Sequence, residues 1–330
     1  MRILVVTNLY PSAESPASGV FIEQQVNGLV SLGLKVRVLF VDRRREGPWA
    51  YYRLGPRIRN TVAEFAPHLV HVMYGGVMAS QVTRQPGLPP VIVTFHGSDL
   101  LGENLSGLRR KLISHYGVHC SRKAARRARG IVVVARRLLN ALGGVLSHHK
   151  VRIIPCGIDL ERFKPMDQAS CRQRLKWETD CAHVLFATAN SDPVKRPWLA
   201  RAAMDHLASE DVSAQLHVLS GVPNAEVPVW LNASDALLLT SEHEGSPTIV
   251  KEALACGLPV VSVDAGDVAE RIAGIEGCYL AKADSADLAL KLRWVFERQQ
   301  RLNCRAQLQE LSCVAIARKL ERFYEEILQS

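Results

Sequence analysis

SEHEGSPTIVKEALACGLPVVSVDAG, residues 241–266, decides how the rest of the chain is read. Ser246 is a good N-cap residue, and Pro247 suits the first helical position, where no amide hydrogen is needed. Gly257 can end the helix, with Pro259 just beyond. The spacing therefore predicts a helix over about 247–256. Apolar runs flank it at Ala236–Thr240 and Val260–Val263, each the length of a buried strand. Strand, turn, helix and strand in this order form one unit of a parallel α/β sheet. A helix that starts after a parallel strand presents free amides and a partial positive charge, a seat for pyrophosphate. Glu244 precedes that start and Glu252 lies inside the helix. Carboxylates accept from hydroxyls. Glu244 can hold a sugar, the amides phosphates and Glu252 a ribose, so the stretch fits a nucleotide-sugar.

The same alternation extends in both directions. RILVVT (2–7), Val36–Val41, Leu69–Met73, Val91–Thr94, Ile131–Val134 and Val151–Pro155 read as strands of one sheet. Helices are expected at Val20–Leu32, before Ala66, and over Gly107–Arg129. The pattern restarts at Val184–Thr188, with a helix at Pro197–Leu207 and a strand at Gln215–Leu219. Leu288–Gln299 and Val314–Leu328 read as further helices. The expected fold class is α/β, with two Rossmann-like doubly wound domains facing across a cleft. The expected boundaries are 1–160 and 161–313, with helix 314–328 crossing back onto the first domain.

Charge divides the chain unevenly. Residues 1–150 hold 21 Lys and Arg against 7 Asp and Glu, and the remainder holds 20 against 25. The basic character thus belongs to the first half and suggests an anionic partner there. It concentrates in Gly107–Arg129, in Arg136 and Arg137, and in Arg43–Arg45. The cluster reads either as a solvated helix face or as a dock for an anionic membrane surface. No nucleic-acid module accompanies the charge, so nucleic acid is not expected. No run of about 18 apolar residues occurs, so no spanning helix is expected. The eight cysteines have no CxxC spacing and read as free thiols in a reducing cytosol. No D-x-D pair is evident. Asp264 and Asp267 read as turn residues, and no metal or other cofactor is expected.

Residues 241–266 closely resemble the E-x7-E region of family 4 retaining glycosyltransferases, which have GT-B architecture. The resemblance covers most of the chain. MRILVVTNLYP with SGVFIEQQVNGL, VIVTFHGSDL, VRIIPCGIDLERFKP (151–165) and VPVWLNASDALLLTS are similar to successive segments of that family. The resemblance implies that Glu244 binds hydroxyls of the transferred sugar and Glu252 the ribose. It implies that the backbone at Ser246, Pro247, Thr248 and Ile249 lines the sugar and phosphate site. Gly19 falls in a loop near the donor phosphates, and His96 near the sugar and the reacting centre. Lys195 matches the family's diphosphate-gripping Lys. The family's Arg is replaced by Asn190, which carries no charge; Arg196 is the nearby cation. Base contacts are expected near Gly221–Asn224.

The expected activity is retaining transfer from a nucleotide-sugar to a lipid-linked or cell-surface glycan precursor, without metal, in the cytoplasm or on the inner membrane face. Two rivals use the same donor site: another GT-B nucleotide-sugar chemistry such as epimerisation, and a non-catalytic nucleotide-sugar-binding protein.

Overall fold

The computed structural model describes residues 1–102, 107–143, 150–188 and 193–330. The chain divides into two compact units, Met1–Gly157 with Cys313–Ser330, and Ile158–Ser312.

The first unit begins with β1 (Arg2–Thr7), α1 (Val20–Ser31), β2 (Lys35–Phe40), α2 (Arg43–Glu46) and α3 (Leu54–Phe65). It continues through β3 (Leu69–Met73), α4 (Gly76–Thr83), β4 (Val91–Phe95), α5 (Ser98–Leu101) and α6 (Leu108–Arg127). Then follow β5 (Gly130–Val133), α7 (Leu138–Leu142) and β6 (Lys150–Ile153). Its six strands are parallel, in the order β2-β1-β3-β4-β5-β6. Side chains alternate across this sheet. Leu4 and Val6 join a core with Leu54, Met78 and Ala124, while Ile3 and Val5 join another with Ile22 and Leu29. Continuous apolar strands are what a sheet covered on both faces requires.

The second unit contains α8 (Gln168–Leu175), β7 (Ala182–Ala187), α9 (Pro197–Ser209), β8 (Ala214–Leu219) and α10 (Val227–Ala233). It continues with β9 (Ala236–Leu239), α11 (Thr248–Ala255), β10 (Val260–Val263) and α12 (Val268–Ile272). It closes with β11 (Tyr279–Ala281) and α13 (Ser285–Arg298). The five parallel strands run β11-β10-β9-β7-β8. Leu237 and Leu239 pack toward Val250 and Leu254 of α11, and Leu238 toward Leu199 and Leu292 on the other face.

The last helix, α14 (Cys313–Leu328), belongs to the first unit. Its residues Ile316, Leu320, Phe323 and Ile327 complete the core that includes α1. Gly28 permits this close approach: a Cβ there would lie 2.9 Å from the Cys313 carbonyl oxygen. Tyr324 also reaches the sheet. Its hydroxyl is 2.7 Å from His71 Nδ1, and His71 Nε2 is 2.6 Å from Thr94 Oγ1. Burial, aided by the charge of His96, pushes the His71 pKa down to about 3, so the ring stays neutral.

Several element ends differ from expectation. The basic helix is shorter, Leu108–Arg127, because Ala128 turns extended and leads into β5. The strand expected at Val151–Pro155 is Lys150–Ile153. All eight cysteines are free. Among the described residues no helix is long and apolar enough to cross a membrane.

Candidate functional site

Strand order locates the region in the second unit. β8 and β9 lie on opposite sides of β7, so the chain changes direction across the sheet between β7 and β9. Ligands of open α/β sheets bind beyond the carboxyl ends of strands at such a point. Lys195 follows β7, Glu244 follows β9, and Asp267 follows β10. Three neighbouring strands therefore deliver these side chains to one end of the sheet.

Lys195 Nζ donates to Glu244 Oε1 at 2.5 Å, and both side chains are partly shielded from water. Arg196 turns the other way. Its Nε donates to the Thr240 carbonyl at 2.6 Å and its Nη2 to the Ser241 carbonyl at 3.1 Å. The Thr240 hydroxyl in turn donates to the Lys195 carbonyl at 2.6 Å. Arg196 thus ties the segment after β7 to the end of β9, and this work occupies much of its guanidinium. Asn190 lies outside the described residues.

The helix start departs from expectation by one residue. Pro247, with φ −63° and ψ 116°, is the N-cap, and α11 begins at Thr248. Ser246 does not cap the helix. Its hydroxyl donates to Asp267 Oδ2 at 2.8 Å and accepts from Lys251 Nζ at 2.9 Å. A buried ammonium needs oxygen acceptors, and that need outweighs the capping preference. Arg271 Nε also donates to Asp267 Oδ2, at 2.8 Å. Among the described residues no hydrogen bond reaches the amides of Thr248 and Ile249. Close backbone packing fixes the turn: Gly266, at φ +61°, would place a Cβ 2.5 Å from the Gly245 carbonyl oxygen.

Glu252 is 8% exposed. Burial raises its carboxyl pKa to about 7, opposed by the charges of Lys251 and Arg162. Among the described residues no hydrogen bond reaches its carboxylate. A buried acid with spare acceptor capacity suits hydroxyl groups of a ligand. Arg162 also donates to Asn224 Oδ1, in the loop expected near a nucleotide base.

In the first unit, His96 follows β4 and is half-buried. Its ring stacks near Tyr74, with centroids 6.1 Å apart, and is tilted against Phe21 at 5.0 Å. Cys156 Sγ is 3.7 Å from His96 Nδ1. Asp99 holds the turn: its carboxylate accepts from the amides of Gly75 at 2.8 Å, Gly97 at 2.9 Å and His96 at 3.0 Å. Burial lifts the Asp99 pKa to about 6, while those amides act to lower it. Tyr74, at φ 126°, supplies local backbone strain beside the ring. Gly19 lies at the start of α1, two residues before Phe21. At φ +69°, it would place a Cβ 2.3 Å from the Leu9 carbonyl carbon, so only Gly fits.

The second unit thus brings together Lys195, Arg196, Glu244, Ser246, Pro247, Thr248, Ile249 and Glu252, while Gly19 and His96 are neighbours through Phe21 in the first. Asp99, Arg162, Lys251 and Asp267 were not singled out as site residues from sequence. Asp267 reads as a turn acid, yet it is buried and anchors Ser246. For metal, ligand atoms of Glu178, Asp180 and Cys181 lie within 4.8 Å of one another. These residues precede β7, whereas Lys195 follows it.

Comparison with known proteins decides the class. A model described as Glycosyltransferase Family 4 matches residues 11–162, and one described as Glycosyl transferases group 1 matches residues 171–298. The chain is a GT-B glycosyltransferase. This glycosyltransferase is 26% identical to the Bacillus subtilis protein named as a teichuronic acid biosynthesis glycosyltransferase, TuaC, over 91% of this chain and 90% of that protein. It is 27% identical to a D-inositol 3-phosphate glycosyltransferase of Geodermatophilus obscurus over 52% of this chain, spanning 46% of that relative. Its fold is similar to sucrose-phosphate synthase from Thermosynechococcus elongatus, with a TM-score of 0.84 and 17% identity over 99% of each chain. Anabaena HepE, solved with UDP-glucose, has a TM-score of 0.71 and 18% identity over 99% of this chain and all of its own.

Proposed function

We propose that the chain transfers a sugar, with retention of anomeric configuration, from a nucleoside-diphosphate sugar to a lipid-linked or cell-surface glycan precursor at a membrane face. The observation that carries this reading is the Lys195–Glu244 pair beside the open amides of Thr248 and Ile249. On donor binding, Lys195 shifts from the carboxylate to the diphosphate, and Glu244 is released to accept from sugar hydroxyls. The amides of Thr248 and Ile249 complete the anion seat, while Glu252 accepts from the ribose. Lys195 and these dipoles balance the charge that grows on the leaving diphosphate, so the reading needs no metal. By the family resemblance, His96 would serve the transferred sugar and Gly19 the donor phosphates.

The relative named for teichuronic acid biosynthesis supports a glycan acceptor. The relatives named for D-inositol 3-phosphate support an acceptor that carries phosphate. The UDP-glucose complex of HepE makes UDP-sugars the first donors to try. A thermal-shift screen across UDP-, GDP- and ADP-sugars tests the donor site, because a ligand that binds the folded form raises its apparent stability. A shift with one sugar nucleotide, followed by transfer to a lipid-linked acceptor with the anomeric configuration kept, is expected. A donor that epimerises without acceptor, or that binds with no transfer to any glycan acceptor, would overturn the reading.

A further inference from the structure

Helix α6 carries seven Lys and Arg and no Asp or Glu. Its two halves meet different surroundings. Cys120, Ser121, Ala124 and Ala125, in the carboxyl half, are buried. Leu108, Leu112, Ile113 and Tyr116, in the amino half, are 59–76% exposed. Helix geometry brings Leu112, Tyr116, Lys123 and Arg127 toward the same side. That side borders α4 across a hollow of about 180 Å³, lined by Ser80, Gln81, Arg84, Tyr116, Lys123 and Arg127, among others. Three cations and no carboxylate line it. Among the described residues none of the three is in an ion pair. Tyr116 belongs both to the hollow and to the exposed apolar group. It also lies within electrostatic reach of Tyr52, which pairs with Trp49 at 5.5 Å between ring centroids; both of these aromatics are exposed.

We propose that this face docks on an anionic phospholipid bilayer, with Leu108, Leu112, Ile113 and Tyr116 entering the acyl boundary and Arg84, Lys123 and Arg127 receiving a lipid phosphate in the α4–α6 hollow. The inference rests on the reading that the acceptor is met at a membrane face, and names the surface that does it. Exposed leucine and isoleucine beside a cationic helix face is the pattern of a helix lying in the interface plane. Trp and Tyr favour the headgroup level, and long Lys and Arg stems let charged heads stay in that layer. A nucleic-acid partner would use the charge and leave the leucines in water. A second copy of this chain would oppose seven positive charges with seven more. An anionic bilayer satisfies both the apolar and the cationic groups.

The test uses the full chain and sedimentation with vesicles of phosphatidylcholine, with or without phosphatidylglycerol. Binding is expected only to the anionic vesicles, and raised salt should weaken it. Leu112→Ser/Ile113→Ser and, separately, Lys123→Ser/Arg127→Ser should each weaken it about tenfold or more. Both variants change exposed or rim side chains, and unchanged melting temperatures would verify that they fold. Equal binding to neutral vesicles, or wild-type binding by the apolar variant, would overturn the proposal. Displacement by duplex RNA with no dependence on Leu112 and Ile113 would also overturn it, in favour of a charge-only surface. Donor thermal shifts, measured in parallel, separate the two readings. A persisting shift without vesicle binding defeats only the lipid surface; vesicle binding with no shift from any sugar nucleotide defeats only the donor reading.

Discussion

Lys195 Nζ lies 2.5 Å from Glu244 Oε1, and the two residues come from loops after different strands. The pair joins the group that would hold the diphosphate to the group that would hold the sugar. On the proposed reading, donor binding separates them and gives each a partner of its own.

Loss of the Lys195 ammonium should therefore act mainly on the chemical step. Lys195→Ala is expected to lower kcat by about a hundredfold or more, with a smaller change in KM, as for other groups that stabilise developing negative charge. Steady-state kinetics with varied donor checks this. An unchanged kcat would remove Lys195 from the leaving-group role.

Glu252 makes stability depend on pH. Its folded pKa, about 7, is above the ordinary value of 4.5. Between these values the folded state holds a proton that the unfolded state has lost, so stability falls as pH rises from about 4.5 to 7 and then levels off. The shift corresponds to about 3 kcal/mol as an upper figure. Glu252→Gln should melt higher than wild type at pH 8, converge with it below pH 5, and bind donor more weakly. Parallel melting curves across this range would contradict the assignment.

Asp267 secures the turn before α11 from the far side. Asp267→Ala removes the buried acceptor of the Ser246 hydroxyl and of Arg271, beside the buried Lys251 ammonium, and should cost about 3 kcal/mol. Urea unfolding measures the loss. A change under 1 kcal/mol would show that other groups hold Ser246 and Lys251 equally well.

Tyr324→Phe removes one partner of the buried His71 ring. Loss of a single buried partner costs about 1–3 kcal/mol. The loss should show as a lower urea midpoint with unchanged donor affinity, because the Tyr324 hydroxyl is bonded to His71, which has no assigned role toward the donor.

Transfer should persist in EDTA if the chain's own cations balance the diphosphate. Activity lost to EDTA and restored by a divalent ion would show instead that the donor comes with a metal.

The long apolar strands were legible because both faces of each sheet are covered: β1, β3 and β9 are continuous apolar or nearly apolar runs. The helix of the opening stretch was legible from Pro247, its apolar spacing and Gly257. Its first residue was not, because the competitor for Ser246 is a lysine five positions later, and sequence alone gives that lysine a solvated role. Lys251 is in fact 0% exposed. β11 has only three residues, too few for a period to emerge. Short helices α4 and α12 were missed for the same reason. Asp99 sits inside the quoted FHGSD, but three amides converging on one carboxylate is a property of the folded turn, absent from spacing.

Helix α14 is made after the whole second unit yet completes the layer begun by α1. During synthesis, the opening unit must wait with one side of its sheet unfinished while the whole of Ile158–Ser312 emerges. The later unit has all its own strands by then and can mature ahead of the earlier one. A stop codon placed before Cys313 would thus spare the half nearest to it and damage the half that was translated first.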